Sequence, residues 1–177
     1  MEANDSLARW LAEGYASAFR TACLILHNRA DAEEAVQDAF LRVWRFRDAV
    51  PDGAGARPWL YRVVVNACLS KLKRRREVLS GSEMALLSIE TSEDSSPEAL
   101  VVRDESSRAV LAALGRLPEH LRVVVVLRYY AGLTESDIAV AIRRRPGTVK
   151  SRMHEARRRL AEDPSLGWLA NAAEEST

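Results

Sequence analysis

The chain has 177 residues and a formal net charge of +1, and 47% of its residues are hydrophobic. This length allows one or two small domains, and the nearly balanced charge does not imply a general binder of polyanions. No apolar run approaches the roughly 20 residues that a membrane helix needs, and the first ten residues lack the pattern of a signal peptide, so we expect a cytoplasmic protein without membrane insertion.

The charge is distributed unevenly along the chain. Residues 1–76 carry 13 basic and 9 acidic side chains, residues 77–109 carry 2 and 8, and residues 110–162 carry 11 and 5. The sequence therefore predicts two basic modules that flank an acidic connector. The connector is polar and turn-forming, with Pro97 near its end, and it cannot bury enough apolar surface to fold alone.

Outside the connector the chain reads as helix almost throughout, so the predicted fold class is all-α. Two small helical domains would be joined by a flexible acidic linker. The predicted bounds are 1–76 for the first domain, 77–107 for the linker, 108–162 for the second domain and 163–177 for a short tail. Cys23 and Cys68 sit singly in apolar surroundings, which indicates reduced core residues. The three histidines show no metal-ligand spacing, so neither a metal nor a cofactor is expected.

The stretch DAEEAVQDAFLRVWR (31–45) predicts an amphipathic helix with one apolar residue on its polar side. Asp31 suits the N-cap, and Glu34 follows it three residues later, as in a capping box. The apolar side holds Ala32, Val36, Ala39, Phe40 and Val43, with Trp44 at its edge. The polar side holds Glu34, Gln37, Asp38, Leu41 and Arg45. A single exposed Leu is ordinary, but a Leu ringed by polar side chains also fits a contact surface for another protein.

The next stretch predicts a loop and then a second basic helix. VPDGAGARP (50–58) has several helix breakers and no periodicity, and Pro58 would open a helix of about 18 residues. Its polar stripe consists of Arg62, Asn66, Ser70 and Lys73, and its C-terminal end is crowded with Lys and Arg. Cations at the C-terminal end of a helix are stabilised by the helix dipole. The stripe also offers positive charge to phosphates, and hydrogen-bond donors and acceptors to bases. The loop and Trp59 could hold unstacked bases.

The stretch LTESDIAVAIRRRPGTVKSRMHEARRRL (133–160) has the layout of a helix-turn-helix. Thr134 and Asp137 resemble a capping box, and Ile138 and Ile142 give the short first helix a buried side. A turn of three arginines precedes the second helix, which Pro146 opens. The apolar stripe of that helix consists of Val149, Met153, Ala156 and Leu160. The opposite face could be merely solvated, but after a short helix and turn it is also suited to the major groove.

Together these stretches resemble a bacterial RNA polymerase sigma factor of the extracytoplasmic-function group, with regions 2 and 4 of the sigma-70 family only. Residues 31–45 resemble regions 2.1–2.2, residues 57–76 resemble regions 2.3–2.4, and residues 113–160 resemble region 4. The resemblance implies that the chain binds core RNA polymerase, at the β′ clamp and the β flap. It further implies that the chain directs initiation at promoter DNA, with no enzymatic activity of its own. The sequence leaves open whether an anti-sigma factor also binds.

The resemblance also implies a role for each exposed face. Polymerase docking would use Glu34, Gln37, Asp38, Leu41 and Arg45. The melted −10 element would be captured by Trp59, Arg62, Asn66, Ser70, Lys73 and Arg74, and Asn66 matches the family's base-contacting position. The duplex −35 element would be read by Thr148, Lys150, Ser151, Arg152, His154, Glu155 and Arg158. The acidic linker is similar to a nucleic-acid mimic that lies near the path of nascent RNA.

Three positions depart from the family pattern. Glu155 stands where a basic residue is common, and it could accept a hydrogen bond from cytosine N4. Arg144 replaces a small apolar residue in the turn, and residues 50–58 lack the frequent Phe-Arg-Gly pattern. Two other classes of binding protein fit parts of the sequence: a stand-alone helix-turn-helix regulator and a sigma-like adaptor that does not read DNA. An enzyme is disfavoured because no nucleotide-binding glycine loop and no nucleophile–base set are found.

Overall fold

Seven α-helices make up most of the computed structural model, which describes residues 2–80 and 105–167. The helices are α1 (Glu2–Leu26), α2 (Arg29–Arg45), α3 (Ala56–Ser80), α4 (Glu105–Arg116), α5 (Glu119–Val125), α6 (Glu135–Ile142) and α7 (Pro146–Ala161). Short 3-10 turns lie at Arg47–Ala49, Gly53–Gly55 and Pro164–Leu166, and a π-helical turn, Val126–Tyr130, continues α5. Within the two described ranges there is no strand, which confirms the all-α prediction.

The first module consists of α1, α2 and α3, and α2 begins two residues before the predicted start. Asn28, which has an extended backbone, is the N-cap: its Oδ1 accepts a hydrogen bond of 2.8 Å from the backbone N–H of Asp31. The prediction of Asp31 as N-cap was therefore wrong. Asp31 lies in the first turn instead, where its negative charge suits the helix dipole.

Helix α3 is longer than predicted at both ends. It begins at Ala56 rather than Pro58, because the first N–H groups of a helix have no intrahelical partner and proline is tolerated there. At its other end it continues to Ser80, past the predicted domain bound at residue 76, with an ion pair of 3.6 Å between Lys73 and Glu77. Its buried surface is also wider than predicted, since α3 packs against α1 and α2 and against α6.

The helix-turn-helix prediction is confirmed by α6 and α7. Thr134 and Asp137 form the capping box, in which each side chain bonds to the other residue's backbone. Arg143 ends α6 in the left-handed conformation, at φ 52°, and Pro146 is the first residue of α7. The predicted apolar stripe is buried at Val149, Met153 and Ala156 and half-buried at Leu160. The turn is therefore built as in the predicted motif, although Arg144 replaces a small residue.

The two modules pack against each other and share one continuous core. Helix α3 lies along α6, and α1 contacts α4, α5 and the π-helical turn. Among the described residues, two polar links cross the junction: Arg57 Nη2 donates to the carbonyl oxygen of Ala131, and Arg76 pairs with Glu119 at 3.4 Å. The sequence predicted both modules but gave no indication of this packing.

The predicted linker and tail lie partly outside the described residues. Helix α3 extends into the start of the 77–107 segment, and α4 covers its last three residues. Residues 81–104 and 168–177, which include the tail residues Trp168 and Leu169, lie outside the described ranges. The described start of the tail is held to α4, because Arg116 donates two hydrogen bonds to the Asp163 carboxylate at 2.9 and 2.7 Å.

The two cysteines are buried and free, as predicted for core residues. Burial raises the pKa of the Cys68 thiol to about 12 and also raises the pKa of Cys23. Both therefore remain protonated thiols near neutral pH, which makes them poor nucleophiles and poor metal ligands.

In residues 2–80 and 105–167, no helix is long and apolar enough to cross a membrane.

Candidate nucleic-acid interface

The exposed face of α2 brings together all five residues predicted to dock on a protein partner. Asp38, Leu41 and Arg45 follow Glu34 at intervals of four, three and four, and Gln37 lies one turn after Glu34, so all five share one side of the helix. Leu41 is 68% exposed although it is apolar, whereas Ala32, Val36, Ala39 and Val43 on the other side are buried. The face therefore offers an apolar contact ringed by polar side chains, as the spacing predicted.

Two aromatic residues extend this apolar contact, and the prediction did not include them. Trp44 is 41% exposed and Phe46 is 57% exposed, at the C-terminal end of the same helix. Trp44 follows Leu41 by three residues, which places it beside Leu41 on the helix surface. The helical period was the signal that could have identified Trp44, whereas Phe46 caps the helix and follows no period.

One residue of the face is held by the neighbouring helix. The carboxylate of Glu34 pairs with the Nζ of Lys71 on α3, and Asp31 lies 3.7 Å from the same amine. This cluster ties α2 to α3 at the edge of the face. Glu34 is thus engaged within the module, while Leu41 and Arg45 remain directed towards solvent.

The polar stripe of α3 forms the second candidate surface. Arg62 and Asn66 are half-buried, Ser70 and Lys73 are exposed, and Ser70 Oγ donates to the carbonyl oxygen of Asn66 at 2.8 Å. Trp59 lies on the same side, partly packed against the core. Arg62 and Asn66 therefore remain accessible enough to touch a ligand, although part of each residue is covered.

The sixth predicted residue of this set, Arg74, lies apart from the stripe. It is one residue beyond Lys73, which rotates it by about 100° around the helix. It is exposed, like Lys73, and adds positive charge to the C-terminal part of α3. Its position suits attraction of phosphates better than contact with a base.

The segment before α3 is less irregular than predicted. It contains the 3-10 turns Arg47–Ala49 and Gly53–Gly55, and both are exposed. Gly53 has φ of +60°, a conformation that L side chains rarely adopt, so glycine is required in this turn. The loop thus has a defined course that leads directly into the start of α3.

The third candidate surface is the exposed face of α7. Thr148, Ser151, His154, Glu155 and Arg158 lie on one side of the helix, opposite the buried stripe. Lys150 is exposed on one flank of this face, and Arg152 lies on the other. The early residues are small and polar, so the N-terminal part of α7 could approach base edges closely.

The central arginine of this face is neutralised by two carboxylates. Arg158 donates to Glu155 at 3.1 and 2.9 Å and to Glu162 at 2.9 Å, and Arg159 donates to Glu155 at 2.7 Å. The hydrogen bonds from Arg158 and Arg159 lower the pKa of Glu155 to about 2. Glu155 is therefore ionised at neutral pH, and the face is less positive than its arginine content suggests.

Arg152 is separated from the other residues predicted to read duplex DNA. It lines a cavity between α7 and α3, together with Arg76 and Arg144. The like charge of Arg144 and, above all, burial lower the pKa of the Arg152 guanidinium. In the packed arrangement Arg152 thus faces the first module instead of the exposed side of α7.

Within the part of the chain that the structure describes, no three His, Cys, Asp or Glu side chains are placed to hold a metal ion.

Comparison with protein families identifies both modules. A model described as "Sigma-70 region 2" matches residues 8–78, and a model described as "Sigma-70, region 4" matches residues 107–160. The matches cover the first module with its three helices and the second module with its helix-turn-helix.

Curated relatives match across both modules. The chain is similar to the ECF RNA polymerase sigma factor SigM of Mycobacterium tuberculosis, with 38% identity over 151 residues, covering 85% of this chain and 71% of that protein. It is also similar to the ECF RNA polymerase sigma-E factor of Escherichia coli, with 31% identity over 134 residues, covering 72% of this chain and 70% of that protein.

Solved structures share the fold. The sigma factor RpoE of Bartonella quintana, in complex with the anti-sigma factor NepR, superposes with a TM-score of 0.70 at 24% identity, over 89% of this chain and 95% of that one. CnrH, in complex with the cytosolic domain of CnrY, superposes with a TM-score of 0.62 at 20% identity, over 90% of this chain and 87% of that one.

Proposed function

The chain belongs to the sigma-70 family, in the extracytoplasmic-function group of RNA polymerase sigma factors, and we propose how its exposed faces divide promoter recognition between the two modules. As a member of this group it binds core RNA polymerase and directs promoter-specific transcription initiation. The assignment of residues to each step is our proposal.

The α2 face would dock on polymerase. Leu41 is exposed at the centre of this face, and Trp44 and Phe46 extend the apolar contact, which is the composition typical of the centre of a protein interface. Gln37, Asp38 and Arg45 would form its polar rim. Glu34 would act indirectly, since it is paired with Lys71 and holds α2 against α3.

The α3 stripe would capture the melted −10 element. Asn66 carries both a donor and an acceptor for a base edge, and Arg62 beside it can pair with a phosphate or stack on a base. A base that leaves the duplex loses a few kcal/mol of stacking, which Trp59 and the loop before α3 would have to replace. Ser70, Lys73 and Arg74 would continue along the backbone of the strand.

The exposed face of α7 would read the duplex −35 element. Thr148, Ser151 and His154 present small polar groups or an imidazole at the N-terminal and central turns, where base edges come within reach. Lys150 and Arg158 would hold phosphates. Because Arg158 is bound to Glu155 and Glu162, its contact with a phosphate requires exchange of carboxylate for phosphate.

Simultaneous recognition of both elements requires the modules to separate. The −35 and −10 elements lie about 25 base pairs apart, which is roughly 85 Å along B-form DNA. A packed chain of this size has a radius of gyration of about 16 Å, so it cannot span that distance. The α3–α6 packing and the Arg57–Ala131 hydrogen bond would therefore be lost when polymerase positions the two modules.

The observation that carries this proposal is the position of three differently composed faces on three helices of one chain. The α2 face suits a protein, the α3 stripe suits an unstacked strand, and the α7 face suits a duplex. A stand-alone helix-turn-helix regulator would need only the last of these. We further propose that the chain is not an enzyme itself and acts in the cytoplasm, where RNA polymerase is found.

Run-off transcription tests the proposal directly. Genomic promoter fragments are incubated with the purified protein and core bacterial RNA polymerase, and each protein is omitted in turn. Initiation at discrete sites only when both are present is expected. On an active fragment, scrambling either the −35 or the −10 segment should abolish the transcript. Binding of duplex DNA by the protein alone, with no stimulated initiation, would overturn the proposal in favour of a regulator.

A further inference from the structure

A cavity of about 410 Å³ lies at the junction of the two modules. Helix α3 contributes Leu69 and Arg76 to its wall, and the second module contributes residues from α5, α6 and α7 and from the turns beside them. Leu69, Val123 and Ile142 give it an apolar floor. Its volume is within the range of pockets that hold small organic molecules, roughly 300–1,000 Å³.

The cavity is also strongly basic. Arg76, Arg144 and Arg152 line it, with His120 beside them and Glu119 as its acidic residue. Glu119 pairs with Arg76 at 3.4 Å, which leaves the charges of Arg144 and Arg152 without a carboxylate partner among the described residues. These two guanidinium groups repel each other, and Arg152 is half-buried. An anion bound by both groups would relieve this repulsion.

We propose that this cavity binds a nucleoside polyphosphate, with its base on the apolar floor and its phosphates on Arg144 and Arg152. Arginine pairs with phosphate through two parallel hydrogen bonds, and two such groups side by side suit neighbouring phosphates. A simple inorganic anion would not cover the apolar surface formed by Leu69, Val123 and Ile142, which would remain in contact with water. A purely apolar molecule would leave the arginines unpaired, so a ligand with both parts fits best.

The site goes beyond promoter recognition and depends on the packed arrangement of the modules. Because its walls come from both modules, it exists only while α3 lies along α6. A bound nucleotide therefore stabilises that arrangement by mass action. It also occupies Arg152, which is then unavailable to the phosphates of a duplex.

The test is calorimetric titration of the full chain, without polymerase, with ATP, pyrophosphate and adenosine at fixed ionic strength. ATP is expected to bind in a saturable way, and at least about tenfold more tightly than either pyrophosphate or adenosine, because only ATP uses both parts of the cavity. Arg144→Gln and Arg152→Gln should each weaken ATP binding by about tenfold, which is the size expected for loss of one charge-assisted contact. Arg159→Gln, on the same helix but outside the cavity, is the matched control and should leave it unchanged.

Thermal unfolding followed by circular dichroism shows whether each variant is folded, and Arg152→Lys, which keeps the charge, should retain part of the affinity. Three outcomes would overturn the proposal: no saturable binding of ATP, equal weakening by Arg159→Gln, or equal affinity for ATP and pyrophosphate. Displacement of ATP by a polyglutamate peptide of equal charge concentration would show a general site for acidic chains, and would also overturn it. None of these outcomes affects the transcription test above.

Discussion

Protonation of His27 should destabilise the folded chain and weaken the junction of its modules. His27 follows α1 in a left-handed conformation, at φ 50°, and its ring packs on α4, so close to Gly115 that an added Cβ there would lie 3.2 Å from Cε1. Its Nε2 is buried without a hydrogen-bond partner among the described residues. The guanidinium of Arg122 on α5, which is 7% exposed, adds a positive charge nearby.

The size of the effect follows from the pKa of His27. Burial, and to a smaller extent Arg122, lowers this pKa from 6.5 to about 4. Because the folded pKa is lower than the unfolded one, the unfolded chain binds more protons between these two values. The contribution of neutral His27 to the free energy of unfolding is therefore fully present above about pH 6.5, and it is lost as the pH falls towards 4. At about pH 5 the loss amounts to about 2 kcal/mol.

Urea unfolding of the full chain at about pH 7.5 and about pH 5 measures this loss. His27→Asn removes the titrating group, and asparagine tolerates the left-handed backbone. Between the two pH values the unmodified chain should lose about 2 kcal/mol more than His27→Asn. His154→Gln, on the exposed face of α7, should behave like the unmodified chain. An equal loss in the unmodified chain and in His27→Asn would refute the claim that protonation of His27 destabilises the folded chain.

Three further substitutions test the proposed faces. Leu41→Glu should weaken binding of core polymerase about tenfold in a fluorescence anisotropy titration, because it places a charge in a desolvated contact. This loss corresponds to about 1.4 kcal/mol of binding free energy. Val78→Glu, an equally exposed apolar position on α3, should not weaken binding, and an equal effect of both would contradict the docking face. Asn66→Ala should reduce promoter opening more than it reduces polymerase affinity, and the reactivity of promoter thymines with permanganate measures the opening. Equal losses of opening and of affinity would count against capture of a base by Asn66. Glu155→Gln weakens the hold on Arg158, so duplex affinity should rise and the slope of log affinity against log salt should steepen by about one unit. An unchanged slope would contradict the proposal that Glu155 competes with phosphate for Arg158.

The sequence predicted most accurately those features that depend on neighbours along the chain. The capping box at Thr134 and Asp137 and the buried stripe of α7 were predicted correctly, because both follow from the geometry of a single helix. The exposure of Leu41 was predicted for the same reason. The start of α2 was missed although its signal is also local, since Asn28 and Asp31 both suit an N-cap and the earlier residue caps the helix.

Features that depend on packing between the modules could not be predicted from local pattern. Nothing in the sequence around His27 indicates that its ring meets Gly115, 88 positions further along the chain. The same holds for Arg57, whose guanidinium reaches the carbonyl oxygen of Ala131. A periodic pattern shows which side of a helix is apolar, but it does not show which distant helix covers that side.

Arg152 shows how such packing changes the meaning of a correctly predicted helix position. Helical geometry places it on the flank of α7, about 100° from Ser151, between the exposed face and the buried stripe. A side chain there can turn towards duplex DNA or towards a helix packed alongside, and in the packed chain it lines the cavity against α3. Separation of the modules removes that wall and returns the guanidinium to solvent, where it can approach a phosphate. On the proposed roles, the same arginine would contribute to −35 binding when the modules are separated and to the anion site when they are packed, and it could not serve both at once.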